Sequence, residues 1–373
     1  MKKLLMLFVA SIFLYACDKI EDEYTYGDDP VIDWNNAADK STEALISQFW
    51  NADGYFNYGS NGTDVGFQYW PNAHALDVLI DAYIRTNDDT YKAYFSKWYE
   101  GVKVKNGNTF YNDFYDDMEW NALAMLRIYQ VTKEEKYLNT VKELWTDIAG
   151  GWNTDYAEGG VAWVKNQLYS KNACSNGPAS ILAARLYNLT KEESYKEWAM
   201  KIYDWEKNTL YERSTGAVYD NINGETNVIS KTALTYNQGT FLGTAVELYR
   251  ITGDKAYLND AQKIANYTLT KCIDQSNNIL RNEGTGDNAL FKGIFMRYFL
   301  MLLQEQDLNS AYRTKFETFF KNNAISIWTK GCYPQTLLFG PAWNEPPVGE
   351  AQLTAQASAG MTIEAMASFS KGK

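Results

Sequence analysis

Four times along the chain a threonine is followed five residues later by a tyrosine, with turn-forming or charged residues between them. The marks are Thr86-Asn-Asp-Asp-Thr-Tyr91, Thr132-Lys-Glu-Glu-Lys-Tyr137, Thr190-Lys-Glu-Glu-Ser-Tyr195 and Thr252-Gly-Asp-Lys-Ala-Tyr257. Successive threonines stand 46, 58 and 62 residues apart, and a weaker version around residues 307 to 312 continues the series. A mark repeated at this spacing suits helical pairs stacked in a solenoid or a closed ring. Each mark ends one helix and opens the next, with acidic residues in the new first turn, where the helix dipole favours them.

The helices on the two sides of a mark differ. After a mark the pattern is amphipathic, as in Tyr195, Trp198, Ala199, Ile202 and Trp205 with Lys, Glu and Asp between them. Before a mark it is apolar almost all round, in Met118 to Tyr129, Ala179 to Tyr187, Thr240 to Tyr249 and Ile294 to Leu303. Such helices must be shielded on every side, so they form an inner layer covered by the amphipathic ones. Inner helices are expected near residues 73 to 84, 116 to 130, 174 to 188, 232 to 250, 288 to 304 and 353 to 370. Six inner and six outer helices make an all-α (α/α)6 toroid. The long loops (residues 51 to 72, 103 to 114, 150 to 172, 210 to 230, 273 to 287 and 325 to 350) all lead from an outer helix into an inner one, which gathers them at one end of the ring. Binding sites favour such loop-bearing ends of rigid scaffolds.

Composition narrows the ligand. A formal charge of -11 disfavours nucleic acid and suits a neutral partner. The 12 Trp, 28 Tyr and 17 Phe exceed ordinary core needs and suit stacking on the apolar faces of sugar rings. With 1 His in 373 residues, His-rich zinc sites are excluded and a serine-type triad would depend on His74 alone. A buried, hydrogen-bonded role is expected for that residue. No metal and no organic cofactor is expected.

The N-terminus reads as an export signal: Lys2 and Lys3 precede an apolar run, Leu4 to Leu14, too short to span a bilayer comfortably. Leu14-Tyr15-Ala16-Cys17 resembles the lipobox of bacterial lipoproteins, which implies cleavage before Cys17 and its lipidation. The expected organisation is a signal peptide at 1-16, a lipidated acidic tether at 17-31 and a single catalytic domain at 32-373. The protein would then be a monomer held on the bacterial cell envelope by its N-terminal lipid, at the outer membrane or cell surface, with the face it occupies left open. Cys174, Cys272 and Cys332 remain, too few for a disulfide framework.

Asp116 and Asp117 stand side by side where a loop rich in Asn and aromatic residues enters an inner helix. They could be an N-cap and first-turn acid, with Glu119 completing a capping box. Yet a cap needs one carboxylate, and a second beside it adds repulsion. Retaining glycoside cleavage needs two carboxyls about 5 to 5.5 Å apart, one attacking and one exchanging a proton, and adjacent residues can meet that distance. The helix dipole would keep one ionised while mutual repulsion raises the other. Adjacency alone does not say which attacks.

The stretch Tyr115-Asp-Asp-Met-Glu-Trp120, followed by Leu123 to Tyr129, resembles the signature of glycoside hydrolase family 76, the endo-acting α-1,6-mannanases. Similar blocks are Tyr69-Trp70 with Ala73-His74, Gly159-Gly160 with Trp163, Lys171-Asn172-Ala173 with Ser175-Asn176-Gly177, Tyr236-Asn237-Gln238-Gly239, and Phe291-Lys292-Gly293-Ile294-Phe295 with Arg297-Tyr298. The resemblance implies an (α/α)6 fold, α-mannan as the polysaccharide partner, and retention of configuration with Asp116 as nucleophile and Asp117 as acid/base. Asn172, Asn176, Tyr236 and Gln238 are candidates for binding sugar hydroxyls, Trp70 and Trp163 for stacking on a mannose ring, and Asp220 and Asn221 for subsite contacts. Caps, turns and core packing are the alternatives for each. Two rival readings are an inverting hydrolase using more distant carboxylates such as Asp155 or Asp220, and a glycan-binding surface lipoprotein without turnover.

Overall fold

The structure, a computed structural model, describes residues 31 to 372; Cys17 and the signal and tether segments up to residue 30 lie outside the described residues. Among the described residues twelve α-helices follow one another: α1 (Trp34–Phe49), α2 (Tyr69–Thr86), α3 (Asp89–Lys105), α4 (Tyr115–Thr132), α5 (Glu135–Gly150), α6 (Gly177–Thr190), α7 (Glu193–Thr209), α8 (Thr235–Thr252), α9 (Lys255–Lys271), α10 (Phe291–Leu303), α11 (Ser310–Lys330) and α12 (Leu353–Lys371). The even-numbered helices pack side by side in order, and α12 returns to α2, so the inner ring closes. Each odd-numbered helix lies outside it, α3 on α2 through α9 on α8, with α11 against α10 and α12. α1 docks on α12, so the first helix seals the last into the ring. The fold is the (α/α)6 toroid.

The repeated mark has one physical cause. In each, the threonine hydroxyl donates to a carbonyl four residues back and accepts the N–H two residues on: Thr132 Oγ1 to Ile128 O at 2.9 Å and from Glu134 N at 3.2 Å, with Thr86, Thr190 and Thr252 alike. Between them a single residue turns left-handed, namely Asn87 (φ 57), Lys133 (φ 62), Lys191 (φ 61) or Gly253 (φ 71). That residue ends the inner helix, and the tyrosine's N–H then closes the first turn of the outer one.

Three expectations need correction. The inner helices are not apolar all round: Asp77 and Asp81 of α2, Arg127 of α4 and Arg297 of α10 form one ion-paired cluster. Arg185 of α6 pairs with Glu247 of α8 at 2.7 Å, and Arg85 of α2 with Glu364 of α12 at 2.8 Å. Each pair joins two inner helices, so the charges neutralise one another inside the ring. Next, α6 begins at Gly177 rather than 174, because residues 170 to 172 pair as a strand and Ala173–Ser175 form a 3-10 turn; Pro178 suits the helix's first turn. Likewise α10 begins at Phe291 after a 3-10 turn, Gly286–Leu290, so 288 to 290 precede the helix.

The long loops carry short antiparallel strands. β1 (Trp50–Asn51) pairs with β2 (Tyr55–Phe56), β4 (Tyr211–Glu212) with β5 (Ala217–Val218), and β8 (Ile273–Asp274) with β9 (Ile279–Leu280). β3 (Ser170–Asn172), β6 (Asn221–Asn223) and β7 (Val228–Ser230) form a three-stranded sheet in which Asn172 faces Asn221. This sheet ties the loop after α5 to the loop after α7 and stands at the mouth of the ring.

Candidate active site

Helix α4 begins without a side-chain cap. Phe114 holds extended backbone, its N–H bound by the Asn112 side chain at 3.0 Å, and the next N–H, that of Tyr115, donates to the carbonyl of Trp163 at 2.9 Å. Asp116 and Asp117 are thus the second and third helical residues, and neither caps. The Asn121 amide, one turn on, donates to the carbonyls of Asp117 (2.8 Å) and Tyr69 (3.4 Å), which joins the start of α4 to the start of α2.

Both aspartates open into a cleft of about 630 Å³ at the loop end of the ring. Two aromatic clusters line it. In one, Phe114 and Trp163 meet at 5.0 Å; in the other, Tyr236 stacks on Phe291 at 3.9 Å and 9°, with Trp70 6.5 Å from Phe291. Such rings offer flat apolar faces to a sugar while the carboxyls and amides between them meet its hydroxyls.

The two carboxyls have different surroundings. Burial pushes Asp116 up to about 7, while the Cys174 thiol, the Trp163 indole and the backbone N–H groups of Asp116 and Asp117 act to favour its anion. Its Oδ1 has no hydrogen-bond partner among the described residues. Asp117 is raised well above the ordinary carboxylate range by burial, by the charge of Asp116 and by that of Asp287, with nothing acting to lower it. Asp116 is therefore the carboxyl set to ionise first and Asp117 the one set to keep its proton. The two titrate as a pair.

Of the residues singled out in the sequence, Trp70, Trp163, Asn172, Asp220 and Tyr236 line the cleft with the aspartates. Asp220 is fixed by the amides of Asn221 (2.8 Å) and Asn237 (2.9 Å). Asn176 and Gln238 do not reach it. Both are fully buried, and their amides pin neighbouring loops: Asn176 bonds the N–H (2.8 Å) and carbonyl (3.0 Å) of Val161, and Gln238 those of Val218 at 3.1 and 2.6 Å. Backbone polar groups buried beneath the loops need these partners more than a ligand does. Asp155 is exposed and not among the cleft residues. His74 is buried between Trp70 and Trp120, at 5.5 and 4.7 Å, and neither ring nitrogen has a hydrogen-bond partner among the described residues, contrary to the hydrogen-bonded role expected. Burial lowers it to about 3, so it stays neutral.

Asn221, singled out with Asp220, also lines the cleft, whereas the sequence reading missed Asp287, Cys174, Trp120 and Phe291, all of which line it. A signal existed for Asp287: like Asp116, it is an acid at the junction of a long loop with an inner helix. Among the described residues no group of three or more His, Cys, Asp or Glu could hold a metal ion.

A family model described as glycosyl hydrolase family 76 matches residues 33–371. The structure is similar to that of the GH76A α-1,6-mannanase from a Salegentibacter species, with TM-score 0.86 and 40% identity over 89% of this chain and 98% of that one. An inactive variant of that enzyme with two consecutive aspartates replaced by asparagine, in complex with α-1,6-mannotriose, superposes equally well (TM-score 0.86, 39% identity). Among fungal relatives, the mannan endo-1,6-alpha-mannosidase DCW1 of Candida glabrata is 26% identical over 74% of this chain and 68% of its own length. The chain spans between 53% and 68% of the length of the curated relatives it matches.

Proposed function

The chain belongs to glycosyl hydrolase family 76, and on that footing we propose that it is an endo-acting α-1,6-mannosidase that cuts mannan backbones with retention of configuration. The observation that carries the reading is the pair of adjacent aspartates opening into a cleft lined by two aromatic clusters. The Salegentibacter α-1,6-mannanase likewise has a consecutive aspartate pair, whose replacement accompanies inactivity.

The surroundings of the pair favour one order of roles. Asp116, near N–H and S–H donors, attacks the anomeric carbon as the bond to the leaving oxygen breaks, and Asp117 donates its proton to that oxygen. In the second step Asp117 takes a proton from water, the water oxygen bonds to the anomeric carbon, and Asp116 departs as carboxylate. Asp220, Asn172 and Asn221 supply polar groups along the cleft, and Trp70, Trp163 and Tyr236 supply its apolar faces.

The test is NMR of the first product released from debranched α-1,6-mannan. An α-anomer appearing before mutarotation supports the assignment; a β-anomer replaces it with an inverting mechanism, and binding without turnover replaces it with a glycan-binding module. Asp116→Asn is expected to lower kcat by at least about a thousandfold, since it removes the nucleophile. Anchoring through Cys17 is supported by the Leu14-Tyr15-Ala16-Cys17 run alone. Metabolic labelling with palmitate, lost in Cys17→Ala, checks it.

A further inference from the structure

Asp287 is the acid that the aspartate pair does not account for. It stands in the 3-10 turn Gly286–Leu290, just ahead of α10, on the cleft surface with Asp117. Its Oδ1 accepts the indole N–H of Trp70 at 3.2 Å. Trp70 follows Tyr69, whose carbonyl shares the Asn121 amide with the carbonyl of Asp117. A continuous set of bonds therefore runs from Asp117 through Asn121 and the start of α2 to Trp70 and Asp287. Asp116 has the opposite surroundings, the Cys174 thiol and the Trp163 indole.

We propose that Asp287 is a positioning residue for the proton donor: its carboxylate sets a second negative charge, after that of Asp116, on the cleft surface near Asp117 and holds Trp70 in the cleft wall. This rests on the reading of Asp117 as acid/base. A like charge nearby disfavours ionisation, so Asp287 keeps the proton on Asp117 at neutral pH, where it is needed for the leaving oxygen. The groups acting on Asp117 are Asp116 from its own helix and Asp287 from the turn before α10; none is a cation. Tyr69 of α2 and Glu119 of α4 also feel the charge of Asp117, and both are themselves raised well above their ordinary range by burial first, which leaves them neutral neighbours. Asp287 is raised by burial, while the Trp70 bond acts to keep it ionised.

Asp287→Asn separates the two duties, because an amide oxygen can still accept from Trp70 but carries no charge. The measurement is kcat/KM against pH on α-1,6-mannotetraose and on an aryl α-1,6-mannobioside whose phenolate leaves without a proton. For the tetraose, the basic limb of Asp287→Asn is expected to move to lower pH by on the order of one unit, about a tenfold loss above that limb. The aryl substrate should keep close to the wild-type rate. Asp287→Ala should in addition raise KM for both, since Trp70 loses its anchor. An unchanged basic limb in Asp287→Asn, or an equal loss on both substrates, overturns the proposal. Failure of the underlying reading would appear separately, as a wild-type enzyme that does not cleave the tetraose with retention.

Discussion

At the residue scale the active pair shows what function costs. Both aspartates are raised in the folded protein, so the folded state holds their protons longer than the unfolded chain does. Their contribution to stability is full below the unfolded value, about pH 4, and is lost as pH rises through the folded values. Asp117→Asn should thus be more stable than wild type at pH 8, with the gap closing near pH 4. Guanidine titrations at the two pH values check this; equal midpoints at pH 8 would mean that the charge is not penalised. The aspartate pair was legible because two adjacent acids at a helix start are more than a cap requires. Asn176 and Gln238 were misplaced for the opposite reason. An amide that bonds a sugar and one that bonds a buried loop look alike in sequence, and only the position of Val161 and Val218 separates them.

At the element scale the repeated mark was legible because each copy solves the same local problem: end a helix, reverse, and start another. The threonine's two hydrogen bonds and one left-handed residue do this four times. Glycine fills the left-handed position once, as Gly253, and Lys133 and Lys191 hold it at a steric cost. Lys133→Gly and Lys191→Gly should each stabilise the fold by about 0.5 to 1 kcal/mol, and Gly253→Ala should cost a similar amount. Denaturant midpoints measured on the three variants give the signs. The short strands were not legible. Each is two or three residues long, and β3 pairs with β6 about fifty residues away, so neither periodicity nor a turn signal marks it.

At the scale of the whole molecule, the ion cluster of Asp77, Asp81, Arg127 and Arg297 joins α2, α4 and α10 inside the ring. Burial pushes Asp77 up, but the Arg297 and Arg127 guanidiniums outweigh it and hold it below its ordinary value. Its stabilisation is therefore present above about pH 4 and lost as pH falls through the folded value. Arg127→Met should cost about 3 kcal/mol at pH 7 and less at pH 3, since it leaves buried carboxylates short of a cation only while they are ionised. Thermal melts at both pH values test this, and an equal cost at pH 3 would mean that packing, not charge, is lost. The sequence by itself determined the alternation of inner and outer helices, the end of the ring that bears the loops and the helix start that carries the paired acids, because these follow from local periodicity and turn chemistry. Which loop residues meet in the cleft, that Asp287 stands near Asp117, and that the inner helices pair their charges were decided only by ring closure. These are contacts between segments far apart in the chain, and no local pattern encodes the distance between them.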